Sequence, residues 1–148
     1  MTARTIRVAT WNVHDLRAGP PAIASAIRAE ELDVVLLQES GSRAGLRDLG
    51  RILGWTVAAD PHVFPRRRVR NAFLARPGVV ESIRSRLVRF AAGSPLRPRG
   101  ALFAEVDGRW TAASAHLGLD GRERGRHLAE LRMLLEGSAQ PMVIGADL

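Results

Sequence analysis

The sequence predicts a mixed α/β domain whose sheets are covered by helices. Three observations carry that expectation. Short continuous aliphatic runs, such as Val34-Val-Leu-Leu37 and Met142-Val-Ile144, have the character of strands buried on both faces. Segments with apolar residues at three- and four-residue spacing, at 20–31, 43–53 and 120–136, have the character of amphipathic helices. The two kinds alternate along 148 residues that are 46% hydrophobic and 25% charged, a length suited to one domain able to bury a core.

The elements follow in order. Residues 5–13 read as a strand with Ile6, Val8 and Thr10 on one face. Prolines 20 and 21 open a helix over 20–31, with Ile23, Ala24 and Ile27 at helical spacing. A buried strand at 34–37 follows, then a short helix over 43–53 carrying Leu46, Leu49, Ile52 and Leu53 and closed by Gly54. Residues 55–59, 71–75 and 79–90 read as strands separated by Pro61, Pro65 and Pro77-Gly78. Strands at 102–106 and 110–117 form a hairpin around Asp107-Gly108, a two-residue turn signal. Asp120 is an N-cap, and Glu123 three residues later completes a capping box. That helix runs to Glu136 with Leu128, Leu131, Leu134 and Leu135 inward, and 142–144 is a final buried strand.

Composition narrows the chemistry. There is no cysteine, which excludes disulfides, thiolate catalysis and cysteine-type zinc sites, and there is no tyrosine. No apolar run reaches the ~20 residues that span a bilayer, and residues 1–8 alternate charge with apolarity, unlike a signal peptide. A cytoplasmic protein is the default expectation, with no stable protein partner legible. The basic residues are all arginine, 22 of them, and the net charge is +7. Residues 61–100 hold ten of these arginines against one acid, Glu81, so the basicity is one segment. Its densest point, Arg66-Arg67-Arg68-Val69-Arg70, suits a polyanion such as nucleic acid or anionic headgroups. The plain alternative is a compositional bias spread over a solvated loop and two strand faces.

The chemical signal is a position that recurs. Four apolar strands each finish in a group able to bind a metal or phosphate: Val8-Ala-Thr-Trp-Asn12, Val34-Val-Leu-Leu-Gln-Glu39, Thr111-Ala-Ala-Ser-Ala-His116 and Met142-Val-Ile-Gly-Ala-Asp147. Strand ends in α/β folds present side chains into a crevice from a rigid scaffold. An amide, two carboxylates and an imidazole together suit a hard divalent cation and a phosphate. Each has a structural reading too: Asn12 a turn residue, Glu39 a polar strand exit, His116 a core histidine, Asp147 a solvated acid. Residue pattern alone leaves both open.

Thr10-Trp-Asn-Val, Asp33-Val-Val-Leu-Leu-Gln-Glu, Asn71-Ala-Phe-Leu-Ala-Arg, Ser114-Ala-His-Leu-Gly-Leu-Asp and Val143-Ile-Gly-Ala-Asp-Leu occur in one order. Together they resemble the endonuclease/exonuclease/phosphatase family, which includes deoxyribonuclease I-like nucleases, sphingomyelinases and inositol polyphosphate phosphatases. The resemblance runs from residue 5 to the last residue. It implies a four-layer α-β-β-α sandwich with two mixed sheets, and a Mg²⁺ (or Mn²⁺) cofactor. It further implies that Glu39 is the principal metal carboxylate and that Asn12 helps hold metal and scissile phosphate. His116 would donate to a phosphate oxygen, and Asp147 would orient or activate the attacking water. Asn71 matches an asparagine that supports the site from behind, and Arg66, Arg67 and Arg68 are candidates for phosphate binding. His127, where the family often has glutamine, reads as structural.

Departures from the family pattern carry their own expectation. Ala146 stands where a glycine usually precedes the motif's aspartate. The family's following asparagine and its distal Asp-His pair have no counterpart here, and neither His14 nor His62 is in the right place. The chain is therefore expected to be the N-terminal part of such a domain, itself inactive. The intact protein is expected to hydrolyse phosphate esters, with nucleic acid the favoured substrate. The alternatives are a non-catalytic polyanion-binding module built on Arg66–Arg70, and a phospholipid or sugar-phosphate phosphatase.

Overall fold

The structure, a computed structural model, describes residues 5–60, 69–91, 93 and 97–147. Its elements are β1 (Val8–Asn12), α1 (Pro20–Ala29), β2 (Val34–Gln38), α2 (Arg43–Leu53), β3 (Thr56–Ala59), β4 (Ala72–Ala75), β5 (Ile83–Arg89), β6 (Gly100–Val106), β7 (Trp110–His116), α3 (Gly121–Glu136) and β8 (Met142–Asp147). A single short turn, His14–Leu16, follows β1.

The strands form two four-stranded sheets ordered β1-β2-β4-β3 and β5-β6-β7-β8. In each sheet one end of the order is a parallel pair, β1 with β2 and β7 with β8, and the other pairings are antiparallel. The sheets stack so that β1 meets β8, β2 meets β7, β4 meets β6 and β3 meets β5.

Side-chain alternation along each strand assigns the layers. Val34, Leu36, Phe73 and Ala75 point between the sheets to meet Leu102, Ala104 and Ala112. Their neighbours Val35, Leu37, Ala72 and Leu74 point the other way, onto Ile23, Ala24 and Ile27 of α1 and Leu46 and Leu49 of α2. On the far side, Ala101, Phe103, Ala113 and Ala115 carry Leu131, Leu134 and Leu135 of α3. The result is the expected four-layer α-β-β-α sandwich. Burial on both faces explains why β2 reads as an unbroken aliphatic run.

Several boundaries differ from the sequence expectation, each for a physical reason. Helix α1 stops at Ala29 because Glu31 turns left-handed (φ 51°) and the Leu32 N–H bonds back to Ile27 O at 3.3 Å, a Schellman-type ending. Strand β5 begins at Ile83 because the Val79 and Val80 N–H groups turn back to Arg76 O, and Glu81 and Ser82 donate to the Asp107 carboxylate. At the β6–β7 hairpin, Asp107 (φ 52°) and Gly108 (φ 64°) make the turn, but pairing resumes at Val106 with Trp110. Arg109 is therefore an extra residue and the turn is not a plain two-residue one.

The Asp120 carboxylate does accept from the Arg122 and Glu123 N–H groups, at 2.9 and 3.1 Å. The Glu123 side chain, however, lies over Gly93 and Gly118 and 4.0 Å from His127 Nε2, so the box expected there is half formed. Leu128 is also 46% exposed, not inward, because His127 and Leu131 occupy the buried stripe of α3. Strand β8 is not the buried strand expected. Among the described residues it pairs only with β7, and it leaves Val143 and Ile144 about 40% exposed. Among the described residues no helix is long and apolar enough to cross a membrane.

Candidate active site

A buried polar frame joins the sheets beneath one end of the sandwich. Gln38, 1% exposed, donates to Ser114 Oγ at 2.9 Å and Thr10 Oγ1 at 3.1 Å, and Ser114 Oγ donates to Leu37 O at 2.8 Å. Asn71, fully buried, donates across the gap to Ser114 O at 2.7 Å and Gly100 O at 3.0 Å. Its Oδ1 has no partner among the described residues. The bonds of Gln38 to Ser114, Ser114 to Leu37 and Asn71 to Ser114 and Gly100 are buried, where an unpaired polar group is costly, so they set the sheet-to-sheet register locally.

Above this frame the four strand-end residues named from sequence come together. Asn12 ends β1, Glu39 follows β2, His116 ends β7 and Asp147 ends β8, opposite His116 in the parallel ladder. Asn12 Nδ2 donates to Asp147 Oδ2 at 2.5 Å, bridging the sheets. His116 Nε2 lies 3.6 Å from Asp147 Oδ2 and 3.8 Å from Glu39 Oε1. Glu39 and Asp147 are about one-third exposed while His116 is buried. The close approach of β8 to β1 depends on Gly145, where a Cβ would stand 2.5 Å from the Thr10 side chain.

Backbone strain concentrates here. Non-glycine residues with left-handed φ occupy three strand approaches: His14, Asp15 and Leu16 (44°, 59°, 61°), Glu39 (46°) and Arg70 (62°). Such conformations persist where surrounding contacts over-determine them, and they gather at functional sites.

Arg99 is a site residue that sequence reasoning did not single out. Its Nη1 stands 2.6 Å from Nε2 and 2.7 Å from Nδ1 of His116. Nothing in the local sequence separates it from the nine other arginines of its segment. Its signal is the hairpin register, which places Gly100 opposite His116. Burial first, and the Arg99 charge second, hold the His116 pKa below its ordinary value, against the pull of Glu39 and Asp147. The lowered pKa favours the neutral imidazole of His116, which carries one N–H, at neutral pH. Burial also lowers the Arg99 pKa, opposed by Glu39, Glu123 and Asp147.

Of the other sequence candidates, Asn71 supports the strands that carry His116 and Arg99 and is not at the site surface. His127 lies on the buried face of α3, stacked on Phe90 with centroids 4.7 Å apart, and accepts the Gly118 N–H. Arg66, Arg67 and Arg68 lie outside the described residues.

The donor set suits a hard cation. It offers the Glu39 carboxylate and the Asn12 Oδ1, which takes the His14 N–H at 3.0 Å and keeps a second lone pair. Among the described residues no three His, Asp or Glu side chains form a closed metal cage. An open set of few carboxylates fits magnesium, which retains several waters.

Two stacked mixed sheets with helices outside, in this strand order, make the deoxyribonuclease I-like sandwich that solved structures share with this chain. An endonuclease/exonuclease/phosphatase from Bacteroides vulgatus matches with a TM-score of 0.75 at 20% identity, over 98% of this chain and 66% of its own. A D. rerio TDP2 humanized by 14 mutations matches at 0.72 and 20%, over 96% and 65%. D. rerio TDP2 complexed with single strand DNA product matches at 0.66 and 19%, over 94% and 58%. The chain thus spans less than two thirds of the length of each of these structures, and the likeness is one of fold. No protein-family model and no curated protein matches the sequence.

Proposed function

We propose that this chain carries the core of a metal-assisted phosphodiesterase site, acting on nucleic acid in the intact protein. The observation that carries this reading is the convergence of Asn12, Glu39, His116 and Asp147, from four strands of two sheets, on one sandwich end. The D. rerio TDP2 structure holding a single-strand DNA product supports a nucleic-acid substrate for a site on this fold.

Each residue has a distinct task. His116, held neutral, donates its N–H to a non-bridging phosphoryl oxygen, and the Arg99 cation against its ring offsets the charge that develops there. Asp147, fixed by the Asn12 amide, accepts a hydrogen bond from the attacking water and aligns it with phosphorus. Glu39 and Asn12 Oδ1 would hold Mg²⁺ or Mn²⁺, which when bound would supply Lewis-acid neutralisation of the phosphoryl oxygens. Asn71 and Gln38 keep the two halves in register from below.

This chain is proposed to be the N-terminal part of a larger sandwich and inactive by itself. Among the described residues the outer edges of β1 and β8 carry no further strand, and Trp11, Val143 and Ile144, on those two strands, are each 38–40% exposed.

The experiment compares this chain with a C-terminally extended one, on plasmid DNA and bis-p-nitrophenyl phosphate with Mg²⁺ or Mn²⁺. Metal-dependent hydrolysis by the extended protein alone, abolished by Glu39→Ala, is expected. An inactive extended protein counts against the enzyme. Equal, Glu39-dependent rates in both chains would refute the inactivity of this one. Salt-sensitive nucleic-acid binding that ignores Glu39→Ala would favour a binding module instead.

A further inference from the structure

Glu39 sits inside a closed ring of contacts whose outer members have no chemical role in the site described above. Its carbonyl accepts the Asp15 N–H at 2.7 Å, and the next amide, Ser40 N–H, donates to Arg70 O at 2.9 Å. The ring closes through side chains: Arg70 Nη1 lies 2.6 and 2.8 Å from the two oxygens of the Asp15 carboxylate. All three corner residues, Asp15, Glu39 and Arg70, have left-handed backbones. Nothing in their side chains favours that geometry strongly, Asp15 excepted. Further contacts brace the corners. The Arg70 N–H is held by the Asp60 carboxylate at 3.1 Å, and Gly41 lies so near Asp15 that a Cβ there would stand 2.8 Å from Asp15 O.

We infer that Asp15 and Arg70 are positioning residues: their ion pair ties the loop after β1 to the loop before β4. It thereby holds the left-handed backbone of Glu39 that turns its carboxylate toward His116. The inference rests on Glu39 being a working group of the site proposed above. The physical reason is directional. Glu39 follows β2 with a left-handed backbone (φ 46°), so its side-chain direction is set by that φ/ψ pair and not by the strand's alternation. The two loops that hydrogen-bond to it on either side meet through the Asp15–Arg70 pair. Because the pair is half exposed its contribution to global stability is small. Its effect is therefore expected in the local order of position 39.

The test uses this chain as it stands, with two readouts. The first is amide hydrogen exchange by NMR at positions 15 and 40, the donors on either side of Glu39. Asp15→Asn and Arg70→Ala are expected to accelerate both by about threefold or more, the scale of a half-exposed ion pair. Leu36 and Leu37 in β2 should be unchanged, and Arg70→Lys should recover most of the protection. Asparagine tolerates the left-handed region, so Asp15→Asn removes the charge without forcing a refold. Unchanged exchange at both positions, or equal acceleration at Leu36 and Leu37, would overturn the inference.

The second readout is Mn²⁺ affinity by electron paramagnetic resonance. Glu39→Gln should abolish binding, and the two variants should weaken it by about threefold, with Arg70→Lys again restoring it. Faster exchange with unaltered Mn²⁺ affinity would also overturn it, since the pair would then order the loops without positioning Glu39. If the unmodified chain bound no Mn²⁺, the metal reading would fail, and the exchange measurement would still decide whether the pair orders the Glu39 backbone.

Discussion

Arg99 Nη1 stands 2.6 Å from Nε2 of His116, so a buried imidazole is held against a permanent cation. The arrangement opposes protonation of His116, as burial does, while Glu39 and Asp147 favour it. Replacing Arg99 by glutamine removes the cation and leaves the carboxylates. The His116 pKa should then rise, observed as an upward shift in the pH midpoint of its imidazole resonances. An unmoved midpoint would mean that the guanidinium contributes nothing.

The same lowered pKa gives the pH dependence of stability a sign. Above the ordinary histidine value of 6.5, both the folded and the unfolded protein hold His116 neutral, and its contribution is constant. As pH falls through 6.5 the unfolded chain takes up the proton first, so stability declines until the lower folded pKa is passed. Urea midpoints should therefore drop below pH 6.5, and drop less in Arg99→Gln.

Asn71 makes two buried bonds to carbonyls of the opposite sheet, at Gly100 and Ser114. Asn71→Ala leaves both carbonyls without that donor in an apolar surround and should cost about 2–3 kcal/mol. Equilibrium urea unfolding measures it. A loss well below 1 kcal/mol would mean that water or neighbouring groups replace the amide.

Gly145 allows β8 to lie on β1, with Asp147 brought to Asn12 two residues further on. Gly145→Ala places a methyl 2.5 Å from Thr10 and should destabilise the protein by about 1–3 kcal/mol. It should also loosen the Asn12–Asp147 bond, visible as a chemical-shift change of the Asn12 side-chain amide. Wild-type stability with an unshifted amide would show that β8 accommodates the methyl elsewhere.

The open edge of β8 has a solution consequence. A strand that is open on one edge among the described residues, with Val143 and Ile144 about 40% exposed, is a template for association. Sedimentation should show concentration-dependent self-association of this chain, reduced by Val143→Lys. Monodisperse monomer at high concentration would contradict this.

Much of the fold was legible because its determinants are local. The cap at Asp120, the Gly54 stop of α2, the prolines of α1 and the aliphatic run of β2 lie within a few residues of what they specify. Errors fell where a distant partner intervened. Asp107 captures the backbone of Glu81 and Ser82 and delays β5, and His127 takes the buried stripe of α3 that Leu128 was expected to share.

The sequence by itself determined that Asn12, Glu39, His116 and Asp147 each stand at the exit of an apolar strand, since a strand's end is written in its own residues. Only the tertiary structure decided that these exits share one end of two stacked sheets. The same packing sets Arg99 against His116 and lets Asp15 and Arg70 close around Glu39. Those relationships join residues 17, 55 and 135 positions apart. No local pattern encodes them, because they arise from sheet pairing and inter-sheet packing.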